Sequence, residues 1–386
     1  HKFASNIAES RDWCTYWEID RLNRPAPVDY ESDRKFWYTL PANFDVLDAC
    51  YRMYRWTGDR RYIDDPAMLS FYRHTMVEYR AKWQIDPEHI MTRHIEVEGS
   101  RGIPSYVETE GGFSIGVDVL ASAAAACRSY SAILDLRGER SMAARYRSEM
   151  AKYLHMLDSK WWNERDRKFY GFHMDDGSMA NGNRWFMLHW DAVTDPIKLR
   201  ASIEEIAAIP LDQNAFQVED KSYYPEILFR YGLAGKATAQ ILDLAMPGRY
   251  RREYPEVSYA LIGAMATGLM GISCETGRSG TAVMQTLSGL PDDTSWAEMD
   301  HVPIQGTSIR IRHDGHVKTT IANLGHRAVR WRATFLGRFD RLEVNGRLRK
   351  ARREVTPNGD AASSVEILLR PGDRFTSSIS VTSIAH

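Results

Sequence analysis

The run Phe113-Ser-Ile-Gly-Val-Asp-Val-Leu-Ala-Ser-Ala-Ala-Ala-Ala-Cys-Arg-Ser-Tyr-Ser-Ala-Ile-Leu-Asp-Leu136 is followed by Arg137-Gly138-Glu139 and then by a second run from Ser141 to Trp161. The first run is almost free of charge, and its centre, Ala121 to Ala126, is built of small residues that let neighbouring helices approach closely. The second carries charges on one face at helical spacing. Gly138 is the natural stop between them, because glycine enters the left-handed C-terminal cap without a Cβ penalty. The pattern reads as an αα-hairpin with an apolar first member and an amphipathic second.

The same unit recurs on either side. Phe44 to Trp56 is closed by Thr57-Gly58-Asp59, and a helix follows from about Pro66 to Trp83. Pro225 to Tyr231 is closed by Gly232, and Ala234 to Leu244 follows. Pro255 to Ile272 is again rich in small residues, with Gly263, Ala264, Ala266, Gly268 and Gly271. The stop glycines stand 80 and 94 residues apart (58 to 138 to 232). That is too long and too uneven for an α-solenoid, whose period is about 34 to 45 residues. An inner ring of apolar helices inside an outer amphipathic ring, a toroid over residues 40–272, fits better. Between the helices, Trp161 to Phe172, with Asp175-Asp176-Gly177 after it, reads as a small β-hairpin excursion.

From Thr307 the period changes to two. Ser308 to His313, Thr319 to Asn323, Ala328 to Phe335 and Ser364 to Leu369 alternate as strands, separated by Asp314-Gly315, Asn345-Gly346 and Asn358-Gly359. This predicts an antiparallel β-sandwich over 307–386. The fold class is therefore mainly α with a β appendage. Residues 273–306 are expected as a linker packed on the helical domain. Residues 1–39, with Trp13, Trp17 and Trp37, are expected as an N-terminal extension.

Composition narrows the function. The chain has 386 residues, 44% hydrophobic and 26% charged, with 50 Lys+Arg against 51 Asp+Glu. So balanced a charge provides no global field for nucleic acid or anionic lipid. The apolar stretch from Ala260 to Ile272 is too short and too glycine-rich to span a bilayer. Four cysteines, Cys14, Cys50, Cys127 and Cys274, are scattered without a CxxC pair or a Cys/His ligand spacing, so neither a disulfide scaffold nor a structural zinc is indicated. No phosphate-binding glycine loop, Gly-x-Ser-x-Gly elbow or HExxH motif occurs, and no cofactor is expected. Aromatic residues reach 11%, with 11 Trp and 19 Tyr, and many stand beside carboxylates or arginines. Such surfaces suit sugars, which present both apolar faces and hydroxyls. The chain begins at His1 without a signal-peptide h-region, and a periplasmic or secreted compartment is favoured.

The segment Pro41-Ala-Asn-Phe-Asp-Val-Leu-Asp-Ala-Cys-Tyr51 with Thr57-Gly58-Asp59, the Trp161–Phe172 hairpin, and Tyr254-Pro-Glu-Val-Ser-Tyr-Ala-Leu-Ile262 together resemble the six-hairpin (α/α)6-barrel glycosidases. The helix-then-sandwich order is similar to that of α-L-rhamnosidase-type enzymes that degrade polysaccharides. The resemblance implies a glycoside substrate and, for most such enzymes, an inverting mechanism.

Inner helices of such a barrel open their N-termini on one face, where a cleft would gather the residues that precede and begin them. Glycoside hydrolysis needs one protonated and one ionised carboxyl. Glu110 and Glu256 are the candidate pair, with Glu108 and Asp45 in reserve. The crowd of Glu108, Glu110 and Asp118 would raise one pKa by mutual repulsion. Tyr224-Pro225-Glu226 and Tyr254-Pro255-Glu256 are expected to open the last two inner helices, although proline at the first helical position and a glutamate after it also suit any helix start. Trp37, Tyr38, Trp185, Trp190, Tyr223 and Tyr259 are candidate stacking faces, and Arg93, His94, His189 and Arg252 candidate hydrogen-bonding clamps. The arginines favour a uronate, because guanidinium matches a carboxylate in two places. A polysaccharide lyase using His94, Tyr106, Tyr254 and Arg252, a sugar epimerase, and a non-catalytic glycan-binding protein stand as alternatives.

Overall fold

The computed structural model describes residues 1–95, 100–107, 111–182, 184–211, 218–249, 252–276 and 282–379. The chain forms two compact units: His1–Tyr54 with Arg60–Ser202, and Arg55–Asp59 with Ile203–His386.

The first unit is built on helices Pro41–Thr57, Pro66–His74, Val117–Leu136 and Arg140–Lys160. Asp65 caps the second of these, accepting from the backbone N–H of Ala67 at 2.8 Å, with Pro66 in the first helical position. The helix continues through a π-turn at Thr75–Tyr79 to Lys82. Val117–Leu136 is long and apolar enough to cross a bilayer, yet it is packed inside the unit, with Ala121 to Ala126 all buried. It pairs with Arg140–Lys160 as the expected hairpin. Gly58, Gly138 and Gly232 all adopt positive φ (69°, 83° and 81°), so each of the three stops has the left-handed cap that its glycine predicted. The excursion after Lys160 is present too: Trp162–Asn163 pairs with Lys168–Phe169, and Phe172–Met174 lies between Phe113–Gly116 and Met179–Ala180.

Residues 1–39 fold into this unit. Tyr38 is buried, its hydroxyl donating to Asn43 Oδ1 at 2.5 Å and lying 2.9 Å from Thr15 Oγ1. Asn43 in turn donates to the Trp13 carbonyl at 2.9 Å. The short strand Tyr38–Thr39 runs parallel to Arg101–Ile103. Gly102, in the middle of that strand at φ +73°, lies under the Trp83 ring, and a Cβ there would stand 2.1 Å from Trp83 Cζ3.

The second unit holds helices Val218–Arg230, Ala234–Ala245 and Pro255–Ala264, followed by two sheets. Its helices correct one expectation. Tyr254 precedes a helix that has Pro255 at its start, but Pro225 lies inside Val218–Arg230, so only the second Tyr-Pro-Glu opens a helix. Glu219 and Asp220 fill the first turn of the Val218–Arg230 helix instead.

One sheet has the order Ile272–Thr276, Ala282–Leu287, Val329–Leu336, Ala361–Leu369, Arg352–Val355. The other has the order Trp296–Ile304, Thr307–Asp314, Lys318–Asn323, Arg374–Ile379, Arg341–Val344, Arg347–Lys350. Residues of both sheets share one buried cluster around Trp331, Phe335, Ile309, Ile311, Ile321 and Ile367. The segment 273–306, expected as a linker, carries three of these strands. Its alternation was hidden because Trp296–Ile304 exposes most of its residues and is broken by an irregular register between Met299 and Val302. One pair is also parallel, Ala282–Leu287 beside Val329–Leu336, where only antiparallel pairing was expected. The hairpin turn Asn345-Gly346 has positive φ at both residues (49° and 76°), as its sequence predicts. All four cysteines are free; Cys14, Cys127 and Cys274 are buried and Cys50 is half-buried.

Candidate active site

The site in the first unit begins at the Pro41–Thr57 helix. Asp45 and Asp48 stand three residues apart and so share a helix face. Asp48 is buried and accepts the Ser129 hydroxyl from the Val117–Leu136 helix at 2.5 Å. Asp45 keeps part of its surface open. Burial pushes its carboxyl up to about 6, and the Asp48 carboxylate adds to the rise; Arg52, the Trp190 indole and the Tyr106 hydroxyl pull the other way. A carboxyl with that pKa is still partly protonated near neutrality, which is the state a proton donor requires.

Tyr106 is brought over Asp45 by a second buried carboxyl. Asp118, in the first turn of the Val117–Leu136 helix, accepts the Tyr106 backbone N–H at 2.5 Å and the Ser105 hydroxyl at 3.0 Å. Burial holds Asp118 up at about 6 despite these donors. Gly116 allows the two segments to meet, because a Cβ there would overlap Asp118 and Ser105.

Around Asp45 the rings form a wall. Tyr106 stacks on Phe186 (5.8 Å, 29°) and on Trp190 (6.3 Å, 20°). Trp185 stacks on Phe186 at 3.9 Å, and Phe186 on Trp190 at 5.5 Å. Trp17 lies tilted against Tyr106 at 6.2 Å. His189 stands edge-on to Trp185 and Trp190 (6.2 and 5.2 Å). Arg128 donates to the Trp190 carbonyl at 3.1 Å and so ties the wall to the buried helix. The helix that carries these rings is short, the four residues Phe186–His189. Among the described residues, no group of His, Cys, Asp or Glu is arranged to hold a metal ion.

The structure thus brings together Asp45, Trp185, His189 and Trp190 from the sequence candidates, although Trp185 and Trp190 are buried and back the wall where exposed stacking faces were expected. Others in this unit do different work. Tyr38 is closed into its buried network, and burial pushes its phenol far up. Arg93 is buried and donates to the carbonyls of Trp83 (2.9 Å) and Ser114 (2.8 Å); burial lowers it to about 10. It clamps the backbone through Nε and Nη1, and its burial withholds it from a sugar. Trp37 is half-buried, and His94 is exposed with its backbone N–H on Gln84. Glu108 and Glu110 lie outside the described residues, as do Glu96 and Glu98. Glu256 and Tyr259 belong to the second unit, both exposed on Pro255–Ala264; Arg252 there is half-buried and donates to Ser258 Oγ at 3.1 Å, and Tyr223 is half-buried in Val218–Arg230. Trp17 and Phe186 were missed as site residues. Trp17 sits in a segment with no periodic pattern, and Phe186 is hidden between two tryptophans.

No family model and no curated protein matches this sequence. In fold it is similar to the rhamnosidase of family GH78 from Bacillus sp. GL1, with a TM-score of 0.52 at 14% identity over 74% of this chain and 31% of that one. It is also similar to the α-L-rhamnosidase from Dictyoglumus thermophilum, with a TM-score of 0.59 at 10% identity over 97% of this chain and 43% of that one. The chain therefore spans less than half the length of either enzyme. The likeness in fold is to glycoside hydrolases of the six-hairpin type.

Proposed function

We propose that this protein hydrolyses a glycosidic bond in an oligo- or polysaccharide, rhamnosides and uronides foremost, with inversion at the anomeric carbon. The observation that carries the reading is Asp45: a partly open carboxyl, raised to about 6, facing stacked Tyr106 and Trp190. In this mechanism Asp45 protonates the glycosidic oxygen as the C1–O bond breaks. A second carboxylate takes a proton from the water that attacks the opposite face of the ring. Glu110 is proposed for that second role, with Glu108 as the other candidate. Trp17 and Tyr106, half-buried where Trp185, Phe186 and Trp190 are closed to solvent, would receive the apolar face of the sugar, and His189 a hydroxyl. An (α/α)6 toroid over residues 40–272 belongs to the same proposal.

The test is product analysis on a panel of rhamnosides, glucuronides and acidic polysaccharides, comparing wild type with Asp45→Asn, Glu110→Gln and Glu108→Gln. Release of saturated sugar, its first anomer read by NMR, with loss in Asp45→Asn and in one of the glutamate variants, is the expected result. Unsaturated uronate products would replace hydrolysis by β-elimination. Binding with no turnover on any substrate would replace it by glycan recognition alone.

A further inference from the structure

The stretch Arg347-Leu-Arg-Lys-Ala-Arg-Arg353 places five cations in seven residues with no carboxylate among them, in a chain whose net charge is −1. The structure turns this stretch around a rim. Arg347–Lys350 is the outermost strand of the six-stranded sheet and Arg352–Val355 the outermost strand of the five-stranded one, with Ala351 alone between them. The Ala351 N–H donates to the Asp340 carbonyl at 2.9 Å and fixes the crossing point. At this corner lies a cavity of ≈ 460 Å³ lined by Asp340, Arg341, Lys350, Ala351 and Arg353. Its size falls within the roughly 300–1,000 Å³ usual for small-ligand sites.

The charges at the cavity are not balanced by the protein. Arg353 pairs with Asp340 at 3.0 Å, and Arg352 reaches Glu354 at 3.7 Å. Arg341 and Lys350 are direct cross-strand partners, an arrangement in which like charges repel. Among the described residues neither has a carboxylate within ion-pair distance, and the same is true of Arg347 and Arg349. Glu343, on the neighbouring strand, stands opposite Leu348. Edge strands need charge to deter pairing with other chains, but charge of either sign serves that purpose. Three cations and one carboxylate line the cavity, and since Asp340 is paired with Arg353, Arg341 and Lys350 are left to call for an anion.

We propose that this corner is an accessory binding site for a glycan chain bearing carboxylates, with Arg341 and Lys350, cross-strand partners on one face of the hairpin, gripping one uronate. The choice of a glycan over another polyanion rests on the hydrolase reading above. It also has local support. Guanidinium groups, which outnumber lysine here, take a carboxylate in two places. The site lies within the second unit and uses none of the residues placed around Asp45.

The test is equilibrium binding of polygalacturonate to the full chain carrying Asp45→Asn, so that no turnover disturbs the measurement. A neutral polygalacturonate methyl ester and single-stranded DNA serve as comparison ligands. Adding Arg341→Ala with Lys350→Ala is expected to weaken polygalacturonate binding by about tenfold to a hundredfold, the loss of two charged contacts. The charge-keeping pair Arg341→Lys with Lys350→Arg should retain most of it, and thermal unfolding should show that both variants fold. Equal affinity for the neutral ester, equal or tighter binding of DNA, or no effect of the alanine pair would each overturn the proposal. Binding of polygalacturonate through Arg341 and Lys350, with no glycoside cleaved by the wild-type chain, refutes the hydrolase reading and leaves this site standing. Hydrolysis without such binding does the reverse.

Discussion

The Tyr106 hydroxyl donates to Asp45 Oδ2 across 3.4 Å, joining residues that are 61 apart in the chain. The contact is long, and it steadies the ionised form of a carboxyl that burial works to keep protonated. Removing it with Tyr106→Phe should therefore raise the Asp45 pKa. If Asp45 is the acid, wild-type kcat/KM falls as pH rises through about 6, and in Tyr106→Phe that alkaline limb moves upward by a few tenths of a unit. A pH–rate profile of both proteins measures this directly; an unmoved limb in Tyr106→Phe breaks the link between the two groups.

Asp45→Asn should remove activity by about a hundredfold or more, as expected for a lost general acid. It should also make the protein more stable in mild alkali. The native pKa of about 6 lies above the ordinary 3.8, so the group stabilises the fold fully only below the unfolded value, and the benefit is lost as pH rises through about 6. At pH 8 the variant should exceed wild type by on the order of 1 kcal/mol, allowing for the partial exposure of the carboxyl. Urea melts at pH 8 and pH 4 would show the gap closing at the lower pH; a gap that widens instead contradicts the assignment.

His313 sets a different pH response in the second unit. It is fully buried, with Nε2 3.1 Å from the Met270 carbonyl and Nδ1 2.9 Å from the Thr319 hydroxyl, and burial lowers it from 6.5 to about 4. The Met270 carbonyl can only accept, so Nε2 carries the proton and Nδ1 accepts from Thr319. The unfolded chain binds a proton near pH 6.5, which the native ring refuses until about pH 4. Stability is thus complete above 6.5 and declines as pH falls towards 4, by about 3 kcal/mol at most. His313→Gln should flatten that part of the curve. Identical slopes for the two proteins would mean the ring does not titrate as described.

Gly102→Ala should be among the most damaging single-methyl changes in the first unit. The residue has φ +73°, and the new Cβ would meet the Trp83 ring at 2.1 Å. Trp83 is itself buried, with its indole donating to the Asp12 carbonyl at 3.0 Å, so the ring has little room to retreat. A cost of about 3 kcal/mol or more is expected from strain and overpacking together. Thermal unfolding would register it as a clear drop in Tm, whereas Gly111→Ala at the open position nearby makes a control for the size of the effect.

The elements that the sequence disclosed are those whose signal is local. Gly58, Gly138 and Gly232 announce helix ends because the left-handed cap depends on one residue. Asn345-Gly346 announces its hairpin for the same reason. What stayed hidden depends on partners far along the chain. Tyr38 looked like a platform beside Trp37, and only Thr15 and Asn43 reveal that its hydroxyl is already engaged. Arg93 reads as a ligand clamp in the sequence, but it is buried and its Nε and Nη1 hold the Trp83 and Ser114 carbonyls. Pro225 carried a helix-start signal that the acidic turn at Glu219 and Asp220 outweighed. Asp45 was legible as a carboxylate at the head of an apolar helix, but the wall around it unites Trp17, Tyr106 and Trp190 from three separate stretches.

The parallel pairing of Ala282–Leu287 with Val329–Leu336 has a consequence for how the protein comes into being. On the ribosome the hairpin formed by Ile272–Thr276 and Ala282–Leu287 emerges first, but its next neighbour in the sheet is not made until Trp296–Ile304, Thr307–Asp314 and Lys318–Asn323 have followed. Those three strands are joined by local antiparallel contacts and can assemble while synthesis continues. The earlier hairpin must wait with Met284 and Cys274 uncovered. Non-local and parallel pairings form slowly and leave sticky intermediates behind. Synthesis that pauses before residue 329 prolongs that wait, so the yield of intact protein should respond to translation speed in this interval more than anywhere in the helical half.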